Sequence, residues 1–351
     1  MGFLRKQLGL ILRILFSGLL LSFLVHNKEN LYKCGGYFQH ARPGWLLAGF
    51  VLLGMTMVLG TYRWRILLHI QGIDLSYSKL FPMNMIGQFF STFLLGVTGG
   101  DVMKIYYVTY ATPEKRSAAG LSVIYDRILG LLGIMVWGLC FTATRYSFLT
   151  SSPNTRRCVL AFLLICAAAV GGIVFALCLP WIRRNSGLWK LEQKLPFHRT
   201  LENLSDAFER YAKSPLQNLI VLGISVFIHG CLFLAMYMVA RAIDLPASFL
   251  KVAAITSIVN VLIAVPISIS GLGFREQLYV FFLALINISA PQAMAFSLMG
   301  WGLNVVWGLL GGCFFMRYKK HAPSSSPVLV GQESDSDIKA VSWPPHSISD
   351  S

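Results

Sequence analysis

The chain has 351 residues, of which 55% are hydrophobic and only 13% charged. A soluble domain carries about 25% charged residues, and a mean hydropathy of +0.62 excludes that class. Net charge is +15, from 30 Lys/Arg against 15 Asp/Glu. These bases sit in short segments between apolar runs, so they read as topology signals and contacts to anionic lipid, and no nucleic-acid partner is expected. Apolar runs long enough to cross about 30 Å of hydrocarbon recur along the chain. A membrane barrel would show short alternating segments instead.

Residues 1–25 open with Arg5 and Lys6 and run apolar from Leu8 to Val25. Arg13 interrupts the run and no small-residue cleavage site follows, which predicts an uncleaved first span with a cytoplasmic N-terminus. Further spans are predicted over 44–62, 127–144, 158–179, 217–239, 250–267, 277–290 and 293–316. The segment 81–97 carries Pro82, Asn84, Gln88, Ser91 and Thr92. It reads as a half helix that re-enters on the cytoplasmic side, because irregular polar backbone is tolerated at membrane depth only inside protein.

The loop 180–216 holds Arg183, Arg184, Lys190, Lys194, Arg199, Arg210 and Lys213, and the last span ends in Arg317, Lys319 and Lys320. Both are assigned to the cytoplasm. That arrangement puts Arg145, Arg156 and Arg157 outside, against the same rule. Leu201, Leu204, Ala207, Phe208 and Tyr211 are spaced for an amphipathic helix on the cytoplasmic surface. The expected fold is therefore all-α: a polytopic membrane helix bundle over 1–320, with roughly eight transmembrane helices and one re-entrant segment. Residues 321–351 are Ser/Pro/Asp-rich and read as a disordered polar tail.

Two short elements stand out as candidate chemistry. In Gly99-Gly100-Asp101-Val102-Met103-Lys104, glycines precede an acid and a base at the end of an apolar run. If a helix begins just after Gly100, Asp101 caps it, Lys104 lies on the same face to hold phosphate, and Tyr107 follows. The second element, Pro266 to Glu276, contains Gly271, Gly273, Arg275 and Glu276. A helix starting near Gly273 would offer free N–H groups and its positive dipole end to an anion, with the Arg275 fork beside it. Intramembrane charges of this kind usually mark function. Asp126-Arg127 stands at the mouth of the next predicted span, able to pair with Lys104 and Glu276 across the bundle. The competing readings are plain: a helix cap and an interfacial lysine, a Pro/Gly kink with a structural ion pair, and an interfacial charge pair. Tyr62-Arg63-Trp64-Arg65 reads as topology signals around an aromatic anchor.

Catalysis finds little support, with no H-E-x-x-H and no G-x-S-x-G. The seven cysteines (Cys34, Cys140, Cys158, Cys166, Cys178, Cys231 and Cys313) have no metal-ligand spacing and read as small packing residues. No metal or cofactor is expected.

The ordered set Arg63-Trp64, Gly72, Gly87-Gln88-Phe89-Phe90, Gly99-Gly100-Asp101-x-x-Lys104, Asp126-Arg127 and Pro266-x-x-x-x-Gly271-x-Gly273-x-x-Glu276 resembles the lysylphosphatidylglycerol synthase transmembrane, or flippase-like, family over about 5–318. The resemblance implies helices with re-entrant segments and lipid translocation. Lys104 stands where arginine is common. The soluble aminoacyl transferase part of the best-known members is not represented here, so lipid aminoacylation is not carried over. The expectation is a bacterial inner-membrane protein binding or translocating an anionic phospholipid or lipid-linked headgroup through one polar cavity formed by the two broken-helix elements, 99–104 and 271–276. Asp101, Lys104, Tyr107, Asp126, Arg127, Gly271, Gly273, Arg275 and Glu276 are its substrate-binding candidates. An intramembrane enzyme acting on a lipid phosphate and a membrane anchor for a partner protein are the alternatives. A homo-oligomer is left open.

Overall fold

The computed structural model describes residues 28–93, 97–185, 208–264 and 271–319. These form ten α-helices: α1 (Lys28–Gln39), α2 (Pro43–Ile70), α3 (Tyr77–Phe93), α4 (Val97–Ala111), α5 (Arg116–Leu149), α6 (Pro153–Asn185), α7 (Pro215–Ala242), α8 (Phe249–Ala264), α9 (Phe274–Ala284) and α10 (Ala290–Lys319). A 3-10 turn at Pro113–Lys115 joins α4 to α5, and no strand occurs among the described residues. The predicted first span, the tail 321–351 and residues 201–207 of the surface helix lie outside the described residues.

Five helices, within α2, α5, α6, α7 and α10, are long and apolar enough to cross a membrane. Their outer faces agree with that. On α2, Leu47, Val51, Met55 and Val58 are exposed along one stripe, which costs little against lipid tails as apolar as leucine. The inner faces bury Leu53, Trp64, Phe162, Phe233 and Phe296.

The other inner helices are short. α3 has 17 residues, α4 15, α8 16 and α9 11. At about 1.5 Å per residue none spans roughly 30 Å of hydrocarbon. They form two hairpins. α3 leaves from the face where α2 ends, and α4 returns there: Lys115 Nζ donates to the Gly72 carbonyl at 2.7 Å. Tyr211 donates to the Leu67 carbonyl at 3.3 Å, and Tyr107 packs edge-on to Tyr318. The residues before α7 and the end of α10 therefore share this first face.

The second hairpin enters from the opposite face. The Arg42 N–H donates to the Ala242 carbonyl at 2.9 Å, which joins the start of α2 to the end of α7. Lys251, in the first turn of α8, lies 5.9 Å from the Phe148 ring at the end of α5. Gln292, in the first turn of α10, which follows α9, donates to the Ile243 carbonyl at 3.3 Å. The expected spans 250–267 and 277–290 are thus the two arms of one hairpin, each too short to cross. Their periodicity is that of any apolar helix, and only the helix lengths and the position of the turn separate the two cases.

The glycines of the first hairpin also differ from expectation. α4 starts at Val97, so Gly99 and Gly100 lie inside its first turn and the helix does not begin after them. Their role is close approach. A Cβ on Gly100 would sit 2.0 Å from Ser91 Oγ and 2.3 Å from the Gly87 carbonyl oxygen, and one on Gly87 would sit 2.7 Å from Lys104 Cγ. α10 seats α3 in the same way through Gly308, Gly311 and Gly312, the small-residue packing that lets membrane helices touch.

Candidate functional site

The first charged group forms where α2, α4, α5 and α7 meet. α2 runs to Ile70, eight residues past the predicted end of its span, and α5 begins at Arg116, eleven before the predicted start of its own. Arg63 and Asp126 are therefore carried inside the bundle. Arg63 lies about 10 Å along its helix from the first face.

Arg63 Nε donates to Asp126 Oδ1 at 2.8 Å, and its NH1 donates to Ser225 Oγ at 2.9 Å. Lys104 Nζ stands 3.7 Å from Asp126 Oδ2 and 4.5 Å from the centre of the Trp64 ring. Trp64 Nε1 donates to Ser122 Oγ at 3.0 Å, which fixes the ring under the ammonium. Gly130 leaves room for the guanidinium, since a Cβ there would lie 3.3 Å from Arg63 NH1. All three charged side chains are buried: exposure is 11% for Arg63, 8% for Lys104 and 6% for Asp126. Two cations share one carboxylate, so the group carries an excess positive charge.

Beside it, Arg127 Nε donates to Asp101 Oδ1 at 2.7 Å. This pair is neutral and more open, at 46% and 20% exposure. Neighbours on a helix face different ways, so Asp126 turns inward and Arg127 outward. Tyr107 does not join the charged group; its ring packs on Tyr106 and Tyr318. Near the first face, burial pushes the Tyr211 phenol up. It stays a hydrogen-bond donor to Leu67.

A partly exposed ion pair contributes little to stability. Arg127→Ala is therefore expected to change the unfolding free energy by less than about 1 kcal/mol while opening Asp101 to solvent. Thermal unfolding followed by tryptophan fluorescence checks this.

The second group lies at the start of α9. Gly271 and Gly273 adopt φ of 75° and 80°, the left-handed region that glycine tolerates. The turn lets the Gly273 N–H reach Glu276 Oε2 at 2.6 Å. Glu276 Oε1 accepts from Arg275 Nε at 3.0 Å, from Arg275 NH2 at 2.5 Å and from Ser297 Oγ at 2.9 Å. Arg275 also meets Ser297 Oγ at 3.0 Å and stands 5.9 Å from the Trp301 ring. Each Glu276 oxygen is engaged and the residue is 1% exposed.

The two broken-helix elements therefore do not form the one cavity expected of them: Asp101, Lys104, Asp126 and Arg127 come together at one place, and Gly271, Gly273, Arg275 and Glu276 at another, because each element packs in its own hairpin. No hydrogen bond or ion pair among the described residues joins the two groups. Lys104 does lie against Asp126, whereas Glu276, considered as a partner across the bundle, is taken by Arg275. Ser297 is about 10 Å along α10 from the second face, so the groups sit at different depths. Sequence reasoning assigned Arg63 to topology and Trp64 to anchoring, and passed over Ser122, Ser225, Ser297 and Trp301. Arg63-Trp64 was a usable signal through its place in the resemblance; single serines in apolar helices carry none.

Among the described residues, five helices long enough to span, two broken-helix hairpins from opposite faces and a buried charged group beside one of them define a polytopic helical membrane protein. The family model described as the lysylphosphatidylglycerol synthase TM region matches residues 10–312, and the chain belongs to that family. No curated protein and no solved structure matches the chain.

Proposed function

We propose that the protein binds the anionic headgroup of a phospholipid or lipid-linked substrate at the Arg63–Lys104–Asp126 group and carries the lipid across the bilayer. The observation that supports this reading is the charge count. Two buried cations face one buried carboxylate, and an unbalanced buried charge is costly unless a partner arrives. A phosphate between Lys104 and Arg63 supplies that partner. The more exposed Arg127–Asp101 pair stands beside this group, where Arg127 can exchange Asp101 for the incoming headgroup. The apolar tails stay in the bilayer, so only the headgroup needs a polar path.

On this reading the protein is a carrier and makes no covalent change to its lipid. The first face, with Lys79, Lys115, Arg116 and Lys213 exposed on it, is the cytoplasmic face of a bacterial inner membrane, and both termini lie on that side.

Purified protein in liposomes tests the proposal. Anionic lipid loaded in one leaflet should appear unchanged in the other, faster than in protein-free vesicles. Chemically altered lipid would favour an enzyme, and neither outcome would favour an anchor. Lys104→Gln keeps the size and removes the excess charge, so binding of anionic lipid should weaken by about tenfold or more. Equal binding by Lys104→Gln and the native protein would sink the site.

A further inference from the structure

A single fixed shift in residue number carries one half of the molecule onto the other. It takes Pro43 to Pro215 and Ile70 to Ala242, so that α2 and α7, both 28 residues long, coincide end to end. The same shift takes Ser76 to Ser248, the first residue of α3 (Tyr77) to the first residue of α8 (Phe249), Lys79 to Lys251, Gly99 to Gly271 and Tyr107 to Tyr279.

The backbone repeats with it. After α2, Gly72 has φ 68°, and after α7 the equivalent Asp244 has φ 49°. The Ile73 N–H donates to the Leu68 carbonyl at 3.0 Å, and its counterpart Leu245 to Ala240 at 2.9 Å. The carbonyl of Ser76 accepts from Lys79 and Leu80; that of Ser248 accepts from Lys251 and Val252. A left-handed residue often follows a helix; what makes this pair specific is that the turn, its hydrogen bond and the serine-capped start of the next helix all recur at one register.

Packing follows the same rule. α2 packs on α7, and these two exchange under the shift. α3 packs on α10 and α8 on α5; α4 packs on α5 and α9 on α10. Direction is reversed throughout: α2 ends at the first face and α7 at the second, and the hairpins enter from opposite sides.

We infer that α2–α5 and α7–α10 are inverted copies of one span–hairpin–span unit, and that the protein works by exchanging their arrangements. Inverted repeats of this kind support alternating access by movement of one repeat against the other. The two copies are not in the same state. At the first hairpin Val102 and Tyr106 are 56% and 58% exposed, whereas their equivalents at the second, Phe274 and Leu278, are half-buried and 2% exposed; Asp101 and Lys104 stand where the second has Gly273 and Glu276. The structure is the state open toward the first face. In the exchanged state the second hairpin loosens from α10 and opens toward the second face, while the first closes. This deepens the carrier reading, since a headgroup site that opens to each face in turn is what carriage requires.

The test locks one hairpin and watches the other. A Cβ on Gly308 would lie 3.1 Å from Thr92 Cβ, close enough for a disulfide. The variant Thr92→Cys/Gly308→Cys ties α3 to α10. Tyr107→Cys/Tyr318→Cys, whose native rings touch with centroids 5.1 Å apart, is bridged by a short bifunctional methanethiosulfonate, cleavable by reduction, which ties α4 to α10 as the second lock. Amide hydrogen exchange over 271–284 is followed in the full chain in phosphatidylcholine nanodiscs, locked and then reduced. If exchange there reports a minor open state, locking should slow it by about tenfold and reduction should restore it. Equal exchange before and after locking, in whichever lock closes, overturns the exchange of arrangements. No anionic headgroup enters this measurement, so its failure leaves the headgroup site standing. Equal lipid binding by Lys104→Gln would in turn remove that site without touching the alternation.

Discussion

Asp126→Asn should be the most damaging polar substitution in the protein. The native carboxylate takes a hydrogen bond from Arg63 at 2.8 Å and faces Lys104 at 3.7 Å. The amide keeps the shape and loses the charge, which leaves two buried cations facing each other with no anion between them. Breaking a buried pair by removing one partner costs about 3–5 kcal/mol, and here one substitution removes the partner of two. We expect a loss of that size, read as a lower midpoint in thermal or denaturant unfolding in phosphatidylcholine nanodiscs. The same variant should recover part of the loss in nanodiscs rich in phosphatidylglycerol, because a lipid phosphate can take the place of the missing carboxylate. Recovery ties the destabilisation to the proposed headgroup site. An identical midpoint in both lipids would leave Asp126 with a structural role alone.

Gly100→Ala should be nearly as damaging, for a steric reason. The new methyl would sit 2.0 Å from Ser91 Oγ and 2.3 Å from the Gly87 carbonyl oxygen. The serine can rotate, but the carbonyl belongs to the backbone of α3 and cannot move alone. Overpacking a tight contact costs about 1–3 kcal/mol and sometimes more, and a backbone obstacle puts this case at the upper end. Prising α3 from α4 also shifts Lys104, whose side chain packs on Gly87, so anionic-lipid binding should fall with stability. Gly171→Ala is the control. A Cβ at Gly171 meets nothing within 4 Å, and alanine gains up to about 1 kcal/mol of helix propensity there. If Gly100→Ala unfolds at the same midpoint as Gly171→Ala, the close crossing of α3 and α4 is wrong.

Much of the architecture was legible in the chain. Composition defined the class, because a chain this apolar cannot present a soluble surface. The polar residues between Pro82 and Thr92 marked the first hairpin, since a lipid-facing helix would not carry Asn84 and Gln88. Gly271 and Gly273 marked the second turn and gave the start of α9 at Phe274. What periodicity could not do was tell a full span from an arm of a hairpin. α8 has a mean composition as apolar as any crossing helix, so 250–267 and 277–290 read as spans.

The sequence by itself also determined which charges are unusual: Asp101, Lys104, Asp126, Arg127, Arg275 and Glu276 stand in or beside apolar segments, where a charge is costly whatever the fold. Which of them share a site was decided only by tertiary structure. Asp126 and Arg127 are adjacent in sequence, yet a helix turns adjacent side chains to different faces, so one is buried against Arg63 and Lys104 and the other opens toward Asp101. Arg63 looked like a topology signal because hydrophobicity fades before it; α2 continues to Ile70 and carries it inside, where the packing of α5 and α7 supplies Asp126 and Ser225. Arg275 looked like a phosphate ligand, but the left-handed turn at Gly273 swings Glu276 back onto it. Local chemistry fixes what a residue can do. The long-range packing of helices fixes which partner it meets, and that information is spread over the whole bundle rather than written beside the residue.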